Sequence, residues 1–123
     1  MTTADLSSRS VPELVEQFRR LALAKGEASD SGQTTRFNRL YGKLDAVQQE
    51  LRSRPGDQRR ALVELYDHAN PQVRFDAAIA TLVVVPDRAR ATLRMIIDRA
   101  EFPQAANARL TLDNLREGGF VPR

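Results

Sequence analysis

Asn70-Pro71-Gln72-Val73-Arg74-Phe75-Asp76-Ala77-Ala78-Ile79-Ala80-Thr81-Leu82 reads as a capped helix that is apolar on nearly every side. The Asn70 side chain can take a free amide at the helix start. Pro71 then falls at the first helical position, where its missing N–H costs nothing. At about 100° per residue, Val73, Ala77, Ala80 and Val84 face one way, and Phe75, Ile79, Leu82 and Val83 cover another side. The only polar sectors hold Arg74 with Thr81, and Asp76. A helix of this kind is stable only when neighbours cover it. Ala77, Ala78 and Ala80 allow those neighbours to come close, because interaxial distance follows side-chain size. The rod from Pro71 to Val84 is therefore expected inside a layered helical stack.

The flanking sequence supplies the neighbours. Ser10 and Glu13 form a capping box, after which Val11, Leu14, Val15, Phe18, Leu21 and Ala22 make one helical stripe over 11–28. Lys25 lies near the end of that stripe, where its stem can pack while its ammonium reaches water. Past the turn Ser29-Asp30-Ser31-Gly32, a second helix carries Phe37, Leu40, Tyr41, Leu44, Val47 and Leu51. It stops at Arg54-Pro55-Gly56, where proline disfavours helix before it and glycine permits a reversal. Shorter helices follow: one capped by Asp57 with Ala61, Leu62, Leu65 and Tyr66, then the rod, then one opened by Pro86 or Val85 and one starting near Pro103. Gly118-Gly119 ends the last, and Phe120 is placed to fold back on its final turn. Residues 1–9 are small, polar and unpatterned and are expected to fray. Residues 10–123 are expected to form a single helical domain. Pro71-Gln72 recurs as Pro103-Gln104, a weak internal repeat of helical-pair length.

Composition excludes several classes. With 123 residues the chain has the length of one domain, and with no cysteine it has neither disulfides nor thiolate metal sites. The longest apolar run is Leu82-Val83-Val84-Val85, far short of a bilayer span. The start has no basic segment before an apolar core, so no secretory signal is expected and a cytoplasmic location is. Arginine outnumbers lysine 17 to 2, a bias that reads first as genome composition. The net charge of +3 comes from residues 51–100, too small a surplus to mark a dedicated nucleic-acid binder.

Catalytic groups are hard to assemble. His68, the one histidine, sits beside Asp67 with no serine or threonine placed to act as nucleophile, and reads as a turn residue that caps the third helix. One histidine and no acidic loop of calcium spacing leave no metal site, and the glycines form no phosphate loop, so no cofactor is expected. The sharpest signal is a basic stripe. Arg36, Arg39, Lys43 and Arg54 fall within about 60° on the second helix, and Arg59 and Arg60 extend it past the Pro55-Gly56 turn. Such a stripe can dock an acidic partner or follow phosphates. Arg36, Arg39, Lys43, Arg59 and Arg60 are the candidate partner-binding residues. Leu23 and Met95, off the stripes of their helices, are candidates for an apolar groove.

Pro71, Val73-Arg74, Ala77-Ala78 and Ala80 resemble the second helix of a HEAT repeat. The whole chain is similar to a small bacterial family of unknown function with an armadillo/HEAT-like fold. The likeness rests on Phe37-Asn38-Arg39-Leu40, on the run from Ser53 to Leu62, on Asn70-Pro71-Gln72-Val73-Arg74 and on Phe102-Pro103-Gln104-Ala105. The resemblance implies an all-α fold, a right-handed α-α superhelix of about six helices in three antiparallel hairpins. It also implies that Arg74 bonds an acid or carbonyl near the inter-helix turn, with Asp67 as the partner. The second repeat has Ala106 at the matching position, which implies a short capped stack. The function expected is a non-enzymatic protein–protein interaction module in bacteria. The alternatives are an immunity-type protein that neutralises a toxin, and nucleic-acid binding through a basic helical face.

Overall fold

Ser10 and Glu13 satisfy each other as the sequence requires. The Glu13 amide donates to Ser10 Oγ at 3.2 Å, and the Ser10 amide donates to Glu13 Oε1 at 2.8 Å. From this cap runs the first helix of a computed structural model that describes residues 3–123. The α-helices are α1 (Val11–Asp30), α2 (Thr34–Ser53), α3 (Pro71–Thr81), α4 (Pro86–Asp98) and α5 (Gln104–Glu117). Two 3-10 segments, Thr3–Ser8 and Gln58–Asp67, complete the set, and no strand occurs among the described residues. The protein is all-α. Its chain forms two compact units, residues 1–61 and 62–123.

In the first unit, α1 ends where Gly32 takes a positive φ of 68°. That turn lets the Gln33 amide reach the Ala28 carbonyl at 2.9 Å, closing the α1 terminus and starting α2 within a few residues. The two helices pack as a hairpin. Leu14, Phe18, Ala22, Leu40, Leu44, Val47 and Leu51 are buried, the same stripes the helical spacing selects. Thr3–Ser8, expected to fray, instead forms a 3-10 turn with Leu6 buried. Arg54 Nη2 donates to the Leu6 carbonyl at 3.1 Å while its Nε donates to Glu50 at 2.9 Å. A short apolar anchor and a guanidinium bound to its backbone account for the difference.

The third helix is wound more tightly than expected. Over Gln58–Asp67 the buried residues are Arg59, Leu62 and Leu65, three apart each time, which is the spacing at which side chains superpose on a 3-10 helix.

In the second unit, Asn70 Oδ1 accepts from the amides of Gln72 (2.8 Å) and Val73 (3.4 Å), and α3 begins at Pro71. The helix stops at Thr81, short of Val84, and Val83 is exposed. Within α3, burial extends to the polar sectors of Arg74, Thr81 and Asp76, and to Gln72 on the side read as apolar, along with Val73, Ala77, Ala78 and Ala80. α4 and α5 pack as a second hairpin. Ala78, Leu82, Ala89, Leu93, Ile96, Ala105 and Ala108 form the core, and Phe120 folds back against it as expected. Between them Ala100 takes φ 52°. The Glu101 amide there bonds the Ile96 carbonyl at 3.2 Å and the Ala100 amide bonds the Ile97 carbonyl at 2.9 Å. This is a Schellman turn with alanine in place of the usual glycine.

Candidate partner-binding surfaces

The basic stripe is real in part. Arg39, Lys43 and Arg60 are exposed, and Arg36 is half-buried with its Nη1 donating to Gln33 Oε1 at 3.3 Å. Among the described residues, no carboxylate pairs with Arg39, Lys43 or Arg60. Arg59 does not belong to this surface. It is 3% exposed and forks onto Asp57, with Nε to Oδ1 at 2.8 Å and Nη2 to Oδ2 at 2.6 Å. That bidentate pair holds the Asp57 carboxyl below its usual range. Asp57 also caps the 3-10 segment, accepting from the Arg59 amide at 3.3 Å. The arginine is a structural clamp because its fork matches the capping carboxylate.

Lys25 departs from expectation as well. Only 4% of it is exposed, and its ammonium lies 5.5 Å from the centre of the Phe37 ring and 5.2 Å from that of Tyr41. Two aromatic faces make a favourable site for a cation drawn out of water. Tyr41 itself is 58% exposed. α2 therefore presents a cationic flank (Arg39, Lys43) and, on its other edge, an aromatic ring backed by a buried ammonium.

In the second unit the conspicuous polar groups are buried. Arg74 Nη1 and Nη2 each donate to Glu101 at 2.7 Å, its Nε donates to the His68 carbonyl at 2.7 Å, and Nη2 also reaches the Ala69 carbonyl at 3.2 Å. The expected partner Asp67 is replaced by Glu101, which the Schellman turn after α4 carries back to α3. The carbonyls near the turn are bound as the resemblance implied. The guanidinium lowers the Glu101 pKa. His68 Nδ1 accepts from the Asn70 amide at 3.0 Å, so its ring organises the entry to α3. Next to the ion pair, Gln104 Nε2 donates to Gln72 Oε1 at 2.9 Å, and Gln72 Nε2 donates to Asp76 Oδ2 at 3.0 Å. The two glutamines of the repeated Pro-Gln pair thus bond each other. These groups join α3 to the start of α5 and to the turn before it, and their role is architectural.

Among the grooves that lie on single units, two carry several charged side chains. One, of ≈ 510 Å³, runs along α1 between Arg9 and Arg20 and holds a buried Gln17 Oε1 without a partner. Its carboxylates are committed, Glu13 to the capping box and Glu16 to Arg19 and Arg20. The other, of ≈ 300 Å³, lies between α4 and α5 and is lined by Arg90, Arg94, Arg109 and Arg116 around Ile97 and Leu112. No group of three metal-ligating side chains occurs among the described residues, and none of their helices is long and apolar enough to cross a membrane.

Residues 12–116 match the family described as Domain of unknown function (DUF2019). The chain belongs to that family. A crystal structure of the protein RPA1889 from Rhodopseudomonas palustris is similar to it, at 40% identity with a TM-score of 0.94, covering 97% of this chain and 98% of that one. No curated protein matches the chain. The DUF2019 match takes in both hairpins, hence both the α2 flank and the α4–α5 groove. The α2 flank is legible in the spacing of one helix, and the α4–α5 groove is not. The groove arginines come from two helices, and spacing along one helix does not reveal which face meets a groove shared with another. The available signal was the arginine surplus of residues 51–100, of which Arg90 and Arg94 are part.

Proposed function

We propose that this DUF2019 protein is a non-enzymatic protein–protein interaction module of the bacterial cytoplasm, with a HEAT-like helical repeat as its scaffold. The reading is carried by α2: Arg39 and Lys43 stand exposed and unpaired on one flank of the helix, with Arg36 and Arg60 nearby in sequence. Cations of this kind add little to stability. They raise the on-rate and fix the orientation of an acidic partner. The exposed Tyr41 supplies an aromatic contact of the type that carries binding energy at interfaces. The repeat reading draws support from the mutual hydrogen bond of Gln72 and Gln104, which occupy equivalent positions in the two Pro-Gln pairs. It draws further support from the clamp of Arg74 on the carbonyls of the preceding turn.

The test is quantitative affinity purification from the native host with the wild-type chain and with Arg39→Glu/Lys43→Glu. The reading expects a small set of proteins held by the wild type and depleted about tenfold or more by charge reversal. Identical recovery with both baits would remove it. Recovery of nucleic acid at low salt, lost as salt rises, would replace it with phosphate binding.

A further inference from the structure

From the α4–α5 groove we infer a second binding site, for an acidic peptide segment that also carries apolar side chains. Four guanidinium groups, from Arg90 and Arg94 on α4 and Arg109 and Arg116 on α5, line one groove of ≈ 300 Å³. One carboxylate, Asp113, shares it and is bonded to Arg116 at 3.2 Å. Among the described residues, Arg90, Arg94 and Arg109 have no ion pair. Like charges gathered on adjacent helices repel, and the core beneath does not use them: it is closed by Leu93, Ile96 and Ala108. The site is complementary to several negative charges at once.

The floor decides between kinds of anion. Ile97 and Leu112 lie among the guanidinium groups. A phosphodiester chain would leave these side chains without a partner, and none of the lining residues is an aromatic on which a base would stack. A peptide uses both elements, its carboxylates forking onto arginine and its apolar side chains covering the floor. The length also fits. The α4 wall of the groove runs from Arg90 to Ile97, about 10 Å at 1.5 Å per residue, enough to hold about three residues of an extended chain. This site belongs to the second unit and stands independently of the α2 flank.

Three fluorescein-labelled probes test it by anisotropy. One is a short peptide with a glutamate for each groove arginine and two leucines. The second has the leucines replaced by serine, and the third is a thymidine oligonucleotide of the same charge. The first should bind about tenfold or more tightly than the second, and Arg94→Glu/Arg109→Glu should weaken it about tenfold or more. Both substituted positions are exposed, so the fold is retained. Cross-relaxation from the probe leucine methyls to Ile97 and Leu112, measured by NMR on the wild type, should locate the peptide without any variant. Equal binding of the serine probe, equal or tighter binding of the oligonucleotide, unchanged binding by the variant, or cross-relaxation to other residues would each overturn the inference. Arg39→Glu/Lys43→Glu should leave the leucine probe untouched, which separates failure here from failure of the α2 reading.

Discussion

In α2, all four buried side chains are aliphatic: Leu40, Leu44, Val47 and Leu51. In α3, half of the eight buried residues are Gln72, Arg74, Asp76 and Thr81. The helices differ in length, 20 residues against 11, and in how much of their circumference meets water. α2 has a wet side for its charges and an apolar stripe for α1, so its hairpin rests mainly on hydrophobic burial, with Lys25 of α1 seated against the Phe37 and Tyr41 rings. α3 is enclosed, so every polar side chain it carries needs a partner within the fold. The second unit meets that demand with one forked ion pair and a line of amides. Its geometry is thereby specified by hydrogen-bond direction as well as by shape.

The largest effect that tests this contrast comes from Arg74→Ala. Removing one partner of a pair this buried should destabilise the protein by about 3–5 kcal/mol, read from denaturant unfolding. A loss no greater than that of the exposed Arg94→Ala would erase the distinction between the units. Leu44→Ala should cost about 2–4 kcal/mol by transfer and cavity terms. This loss should be the same at neutral and mildly acidic pH, since no titrating group is involved.

The pH dependence sharpens the comparison further. The Glu101 pKa is lowered in the fold from an ordinary value of 4.5, mainly by its hydrogen bonds to Arg74. Its contribution is therefore complete above the unfolded value, and it disappears as pH falls below about 4.5 and through the folded pKa. Glu101→Gln should flatten part of the acid limb of the stability curve. Asp57, lowered by Arg59, should retain another part in the first unit. An acid limb unchanged by Glu101→Gln would show that the Arg74 pair contributes nothing measurable. The smallest expected effect is a gain. Ala100 sits at φ 52°, a conformation that strains a side chain and suits glycine. Ala100→Gly should stabilise by about 0.5 kcal/mol after the extra freedom of the unfolded chain is subtracted.

What was legible in the sequence follows the same division. The Ser10 and Asn70 caps, the stop at Pro55-Gly56 and the stripes of α1 and α2 depend on neighbours within a few residues, and all are found save that Tyr41 of the α2 stripe is exposed. The 3-10 winding of Gln58–Asp67 was not legible. Ala61, Leu62, Leu65 and Tyr66 satisfy an α-helical spacing, and the third member of the true period is Arg59, a residue ordinarily taken as exposed. Lys25 misled for the same reason, since the rings that receive its ammonium lie on the following helix. Arg74 pointed to Asp67, the acid near the preceding turn, while Glu101 lies 27 residues away and is brought in by a turn built on Ala100. For the candidate surfaces, the α2 flank needed only one helix. The α4–α5 groove needed the rotational setting of two, and Arg59 was lost from the flank to a carboxylate two residues before it.

The amide line in the second unit runs in one direction only. Because the Gln104 amide nitrogen donates to the oxygen of Gln72, the nitrogen of Gln72 is left to donate to the Asp76 carboxyl oxygen. A glutamate at position 72 would present an oxygen to the Asp76 oxygen, and a glutamate at 104 would present an oxygen to the Gln72 oxygen. Neither site can drift alone, so positions 72 and 104 should change only in concert, as a lock whose two halves are cut together.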